Sequence, residues 1–301
     1  MGAFSRALGN VPTHDVENPR TQKVVYLVLP YFPNGNVQDA INAHIVHKTR
    51  FDERKMLQLF ACACDALKSM HQYVLPHVSV QAGDEDEDVN TTHAVSTKDD
   101  SLLFDAGLSE SYAYPPPEPM ATNAAASKPL STSSTHAERV PYAHRDVKPG
   151  NIMISDDGNT GVLMDFGSTM RARVTISSRR EAIAHQDLAS VHSSMPYRAP
   201  ELFDVKTDAV LDEKVDIWAL GCTLYAMAYL HSPFETLSTV EQGGSIALAV
   251  MNGAYKFPPA DEDPYSPHVR HIIERCLEHD PQARPDIDAV LNDVHMALAS
   301  I

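Results

Sequence analysis

Two carboxylates nineteen positions apart, Asp146 and Asp165, carry the chemistry this sequence offers. Asp146 stands in His144-Arg145-Asp146, with Lys148 and Asn151 close behind, and Asp165 opens Asp165-Phe166-Gly167. Such a set suits phosphoryl transfer, which asks a protein for positioning and charge stabilisation more than for covalent chemistry. Asp146 is placed to accept or orient the proton of an attacking hydroxyl. Lys148, two residues on, is placed to reach a terminal phosphate and offset its developing charge. Asn151 offers a neutral amide oxygen to a cation and Asp165 a charged one. Mg²⁺ takes hard oxygen ligands of this kind, keeps several waters and shares its shell with substrate phosphate.

These residues work together only if the chain returns on itself between them. Ile152-Met153-Ile154 and Gly161-Val162-Leu163-Met164 are short apolar runs on either side of Asp156-Asp157-Gly158-Asn159. That pattern predicts a β-hairpin with a loop longer than the two-residue minimum, which would bring Asn151 and Asp165 to one place. A lone His-Arg-Asp would read as ordinary turn and cap residues. The joint occurrence of both acidic motifs at hairpin spacing argues against that reading.

Composition bounds the remaining possibilities. The chain has 301 residues with 43% hydrophobic content, enough to build a sizeable core. Cys62, Cys64, Cys222 and Cys276 form no Cys-x-x-Cys pair and read as buried thiols of a reducing compartment. The 15 histidines show no metal-ligand spacing, so none is assigned to a structural metal. A net charge of −16 argues against nucleic-acid binding through a basic surface. No secretory signal is visible, and the apolar run Ile217 to Leu230, fourteen residues, suits a buried core helix better than a membrane span.

Along the chain, residues 1–23 have weak periodicity, and residues 24–29 read as a buried strand ended by Pro30, with a turn over 31–35. A short helix is expected from Asn36 to about Ala43. A longer one is expected from Asp52 to His71, with Asp52 as N-cap and Met56, Leu59, Phe60, Ala63, Leu67 and Met70 on its apolar face. Residues 74–139 hold an acidic run from Asp84 to Asp88, a proline cluster from Pro115 to Pro119 and Ser/Thr-rich sequence. Such a composition cannot bury enough apolar area to order itself, so the segment reads as a disordered insert whose ends lie close together. Residues 140–298 form the remaining unit. Within it, Ala182 to Ala189 has helical character, and Ser177, Ser178, Ser193 and Ser194 are candidate phosphosites by position alone.

Residues 24–298, apart from the insert, resemble the large lobe of eukaryotic protein kinases, and Lys148 in His-Arg-Asp-Val-Lys-Pro-Gly-Asn is the serine/threonine form of the motif. Tyr142 to Asp146, Val162 to Asp165, Tyr197 to Phe203 and Ser245 to Val250 resemble the Numb-associated kinase family, closest to its lipid-anchored Golgi and vacuole-associated branch. The resemblance implies an α+β kinase-like fold, mainly the helical large lobe, with ATP and Mg²⁺ as cofactors and serine/threonine proteins as substrates. It makes Asp146 and Lys148 catalytic and Asn151 and Asp165 metal-binding. Leu29, as gatekeeper, and the backbone of Pro30 and Phe32 would contact ATP. His144, Arg145, Glu201, Asp216 and Arg284 would be structural supports, with Asp216 fixing the catalytic-loop backbone and Glu201 pairing with Arg284. Ser193 to Arg198 would receive the substrate residue beside the phosphorylated hydroxyl. A cytoplasmic protein peripherally attached to Golgi or vacuole membranes is implied as well.

The sequence departs from the family pattern in two respects. Position 6 is Arg6 where a myristoylation signal wants Ser or Thr, and no cysteine precedes Cys62. No Gly-x-Gly-x-x-Gly occurs, and Lys23 is the sole lysine before the hinge, so most of the small lobe is missing from these residues. Two expectations follow. One is an N-terminally truncated form of an active kinase, with greatly reduced phosphotransfer in this polypeptide. The alternative is a non-catalytic scaffold or binding module.

Overall fold

Residues 29–75, 139–235 and 244–301 are described by a computed structural model; they form seven helices and three two-stranded antiparallel sheets. The expected strand over 24–29 and the insert fall almost wholly outside these residues.

Helix α1 (Val37–His47) starts at a capping box: Asn36 Oδ1 accepts from Asp39 N at 2.9 Å, and Asp39 Oδ2 accepts from Asn36 N at 3.0 Å. It runs past Ala43, where the sequence pattern ended it. Its end is set instead by Lys48, which takes a left-handed conformation at φ 53° and turns its N–H back onto His44 and Ile45. Lysine carries no local signal for that conformation, so the boundary was hidden. Helix α2 (Glu53–His71) is capped by Asp52, whose Oδ1 accepts from Lys55 N at 3.0 Å. Its buried face is wider than the periodic set, since Leu57, Ala61 and Cys64 are also buried, while Met70 is only partly covered.

Strand β1 (Tyr142–Ala143) pairs with β4 (Met170–Arg171), and β5 (Val174–Thr175) pairs with β6 (Val210–Leu211). Between the first pair lies the hairpin of β2 (Ile152–Ile154) and β3 (Gly161–Leu163), in register Ile152 to Leu163. Its loop is closed by Asp157, which accepts from Asn159 N at 2.8 Å, and by Gly158 at φ +70°, a conformation that suits a residue without a side chain. Val74 and Arg139 form a β-bridge, and Val140 N donates to Tyr73 O at 2.9 Å. The two ends of the inserted segment therefore sit side by side, as a compact lobe requires.

Helix α3 (Arg179–His192) follows, capped by Ser178, and spans more than the expected Ala182 to Ala189. Helix α4 (Lys214–Tyr229) is buried at every position from Val215 to Ala228. That explains its lack of an amphipathic stripe and matches the core helix expected from its apolar run. Among the described residues, no helix is long and apolar enough to cross a membrane. Three helices complete the chain: α5 (Ile246–Met251), α6 (Pro267–Cys276) and α7 (Ile287–Ser300). α2 packs on α7 and β3, and α4 packs on α6. α4 and α6 meet at Gly221, where an added Cβ would stand 2.7 Å from Cys276 Cβ.

Candidate active site

Asp216, on the first turn of α4, is fully buried and organises the loop that carries Asp146. Its Oδ2 accepts from His144 N at 2.7 Å and its Oδ1 from Arg145 N at 2.8 Å. His71 Nε2 lies 3.0 Å from Oδ2, so a residue at the end of α2 joins the same carboxylate. Burial would raise the Asp216 pKa, but the hydrogen bond from His71, the neighbouring imidazoles of His71 and His144 and the Arg145 N–H outweigh it and hold the carboxyl below its ordinary value. These bonds support Arg145 at φ +68°, a left-handed backbone that costs a side-chain-bearing residue roughly 1–3 kcal/mol.

His144 links the two motifs. Asp146 N donates to its Nδ1 at 3.3 Å, which makes Nε2 the protonated nitrogen, and Nε2 donates to Met164 O at 3.0 Å. Its ring also lies 5.4 Å from that of Phe166. From the other side, Met164 N donates to Asn151 O at 2.8 Å. The residue before Asp165 is thereby tied both to His144 and to Asn151, and the two predicted metal-binding residues are brought together as the hairpin register required.

The Asp146 carboxylate is almost fully engaged. Oδ2 accepts from Lys148 Nζ at 2.7 Å and Asn151 Nδ2 at 3.2 Å, and Oδ1 accepts from Ser194 N at 2.9 Å. Asn151 Nδ2 also donates to Asp146 O at 2.8 Å. Its donor end is used on Asp146, which leaves Oδ1 as the end available to a cation. Asp165 takes a left-handed backbone at φ 63°, and its Oδ1 accepts from Gly167 N at 3.3 Å. Among the described residues, no group of three or more His, Cys, Asp or Glu could hold a metal alone. One amide oxygen and one exposed carboxylate fit a cation that draws its other ligands from water and phosphate, as Mg²⁺ does.

The sequence marked Ser194 as a candidate phosphosite and as part of the substrate-receiving loop, but not as a partner of Asp146 and Lys148. Beyond its N–H on Asp146, its Oγ accepts from Lys148 Nζ at 2.7 Å, so it touches both predicted catalytic residues. No local pattern marks this, because the contact spans 48 positions. His71 was missed too. Its one signal was its place four residues after Leu67, on the inward face of α2.

Glu201 and Arg284 form the expected fork, with Nη1 to Oε1 at 2.7 Å and Nη2 to Oε2 at 2.8 Å. Arg284 is buried, donates also to the carbonyls of Glu278, His279 and Lys214, and stacks over Trp218 with its guanidinium carbon 5.0 Å from the ring centroid. At the expected hinge, Leu29 and Pro30 are exposed and Phe32 is half-buried, while Phe32 O accepts from Gly35 N at 3.1 Å to close the turn. No described contact brings these three to Asp146 or Asp165.

The protein kinase domain matches residues 131–296. Serine/threonine-protein kinase ppk13 of Schizosaccharomyces pombe is 35% identical over 287 residues, covering 95% of this chain and 72% of that protein. The chain belongs to the protein kinase family. The kinase is also 31% identical over 270 residues to serine/threonine-protein kinase ENV7 of Saccharomyces cerevisiae, covering 90% of the chain and 67% of that protein. A third relative, serine/threonine-protein kinase 16 of Mus musculus, is 40% identical over 153 residues, 51% of the kinase and 48% of the mouse protein. The family and these relatives make it a serine/threonine kinase by descent, with an α+β kinase fold, in a family that uses ATP and Mg²⁺ on protein substrates.

Proposed function

We propose that this kinase transfers the γ-phosphoryl group of ATP to serine or threonine hydroxyls of proteins, with Asp146 orienting the attacking hydroxyl. The single observation that carries this reading is the Asp146 carboxylate held at once by Lys148, Asn151 and the Ser194 amide. In the reaction, the hydroxyl oxygen bonds the γ-phosphorus, the bond to the bridging oxygen breaks with its electrons leaving on ADP, and the hydroxyl proton passes toward Asp146. Lys148, between Asp146 and Ser194 Oγ, is placed to turn its ammonium to the transferring group and offset its charge. Asn151 Oδ1 and the Asp165 carboxylate would hold Mg²⁺, which would supply positive charge to offset that of the transferring phosphate. Leu29, Pro30 and Phe32 are the proposed adenine contacts.

The finer placement we propose is the Numb-associated family. The motifs around Asp146 and Tyr197 support it, as does helix α3 in the stretch from Ser168 to Arg198, the activation segment, late in which that family places a helix. Peripheral attachment to a Golgi or vacuole membrane rests on that resemblance and is tested by flotation of the endogenous protein with membranes. The activity is tested with γ-labelled ATP, Mg²⁺ and protein acceptors, followed by phosphoamino-acid analysis. Labelled phosphoserine or phosphothreonine is expected. Label confined to phosphotyrosine, or no transfer at any ATP concentration, contradicts the reading, and absence of transfer favours the scaffold alternative.

A further inference from the structure

We propose that Arg198 is a positioning residue for Asp146, acting through the one peptide unit that joins Ser193 to Ser194. This rests on the reading of Asp146 as the residue that orients the acceptor hydroxyl.

Arg198 Nη2 donates to Ser193 O at 2.8 Å. The other end of the same peptide, Ser194 N, donates to Asp146 Oδ1 at 2.9 Å. Carbonyl and N–H of a trans peptide share one plane and point opposite ways, so fixing the carbonyl aims the N–H. A charged donor on the carbonyl also polarises the unit and strengthens its N–H toward a carboxylate. Arg198 therefore holds Asp146 without touching it, and Ser194 Oγ, on the same residue, faces Lys148.

The surroundings of Arg198 agree with a dedicated clamp. Its side chain is buried, and among the described residues it has no carboxylate partner in an ion pair. An isolated buried cation is costly, so its other contacts must compensate. Nη2 also reaches Ser190 O at 3.4 Å, at the C-terminal end of α3 where carbonyls favour a cation. The guanidinium carbon lies 4.8 Å from the Phe203 ring centroid, and Phe203 O accepts from Gln186 Nε2 of α3 at 2.8 Å. Burial lowers the Arg198 pKa, and the charge of nearby Asp146 partly opposes that shift. The end of α3, Phe203 and Asp146 are thus joined at one guanidinium.

The test is amide hydrogen exchange at Ser194 in the full chain, with α4 amides as the folding control. Arg198→Met keeps an apolar stem over Phe203 and removes the donor. Ser194 exchange is expected to rise about tenfold or more, the loss of one charge-assisted hydrogen bond, with α4 protection unchanged. Arg198→Lys keeps a charged donor and should hold exchange within about threefold of wild type. With ATP, Mg²⁺ and a protein acceptor, kcat should fall with Ser194 protection while KM for ATP stays constant, and Arg198→Lys should recover most of it. Unchanged Ser194 exchange in Arg198→Met overturns the proposal. If Arg198→Met loses α4 protection, Arg198→Gln against Arg198→Lys decides: faster exchange in the glutamine variant supports the clamp and equal exchange refutes it. A wild type that transfers no phosphate refutes the kinase reading, while Ser194 exchange still decides the clamp.

Discussion

His71 Nε2 and Asp216 Oδ2 lie 3.0 Å apart with neither side chain open to solvent. One comes from the end of α2 and the other from the start of α4, and the Asp216 carboxylate that His71 meets also holds the backbone of His144 and Arg145. The catalytic loop is therefore fastened to the two most buried helices of the lobe through one carboxylate, and its geometry is as firm as the packing of α2 and α4.

Replacing that carboxylate should loosen the loop before anything else. Asp216→Asn keeps the size but puts a donor where an acceptor oxygen stood, leaving a buried N–H unmet at a cost of about 3 kcal/mol. Urea unfolding checks the loss, and faster amide exchange at His144 and Arg145 locates it. Because the folded pKa of Asp216 lies below its unfolded value, its stabilisation is present above about pH 4 and is lost as pH falls through the folded value. Asp216→Asn should flatten that acid limb.

The Glu201–Arg284 fork sets a second expectation. Glu201→Ala leaves a fully buried guanidinium with only carbonyl partners. Breaking a buried pair from one side costs about 3–5 kcal/mol, which for a domain of this size lowers Tm by roughly 10 °C. A calorimetric Tm within a degree or so of wild type would contradict the fork.

Helix α3 should respond to pH through His185. The ring is buried on α3, and burial first, then the charge of Arg145, pushes its pKa down to about 4 against a partial opposing effect of Glu181. The unfolded chain protonates near the ordinary value of 6.5. Stability from this group is therefore complete above pH 6.5 and drains away as pH falls toward about 4. Unfolding free energies across that window should slope downward in wild type, and the slope should shrink in His185→Gln.

What the sequence disclosed, and what it withheld, follows the range of the interactions. Asp146, Lys148, Asn151 and Asp165 were legible because their spacing is local and the hairpin between them is signalled by two short apolar runs around a Gly-containing loop. The Glu201–Arg284 fork and the grip of Asp216 on the loop came from a resemblance, not from local pattern. The end of α1 was misplaced because it is set by Lys48 in a left-handed conformation, for which lysine carries no local signal. Ser194 and His71 stayed hidden because each acts across a long loop of chain on a group that no local rule connects to it. Apart from Leu29 and the insert's two ends around Val74 and Arg139, the expected strand and the insert fall outside the described residues, so their expected roles rest on sequence alone.

The most direct test of the central claim is the rate of γ-phosphoryl transfer to a serine or threonine acceptor, compared between the wild-type chain and Asp146→Asn under saturating ATP and Mg²⁺. The geometry around Asp146 predicts transfer in the wild type, at whatever absolute rate, that falls about a hundredfold or more in the variant with its fold intact. Equal transfer in both proteins would contradict the account, because the residue that Lys148, Asn151 and Ser194 converge upon would then have no part in the chemistry.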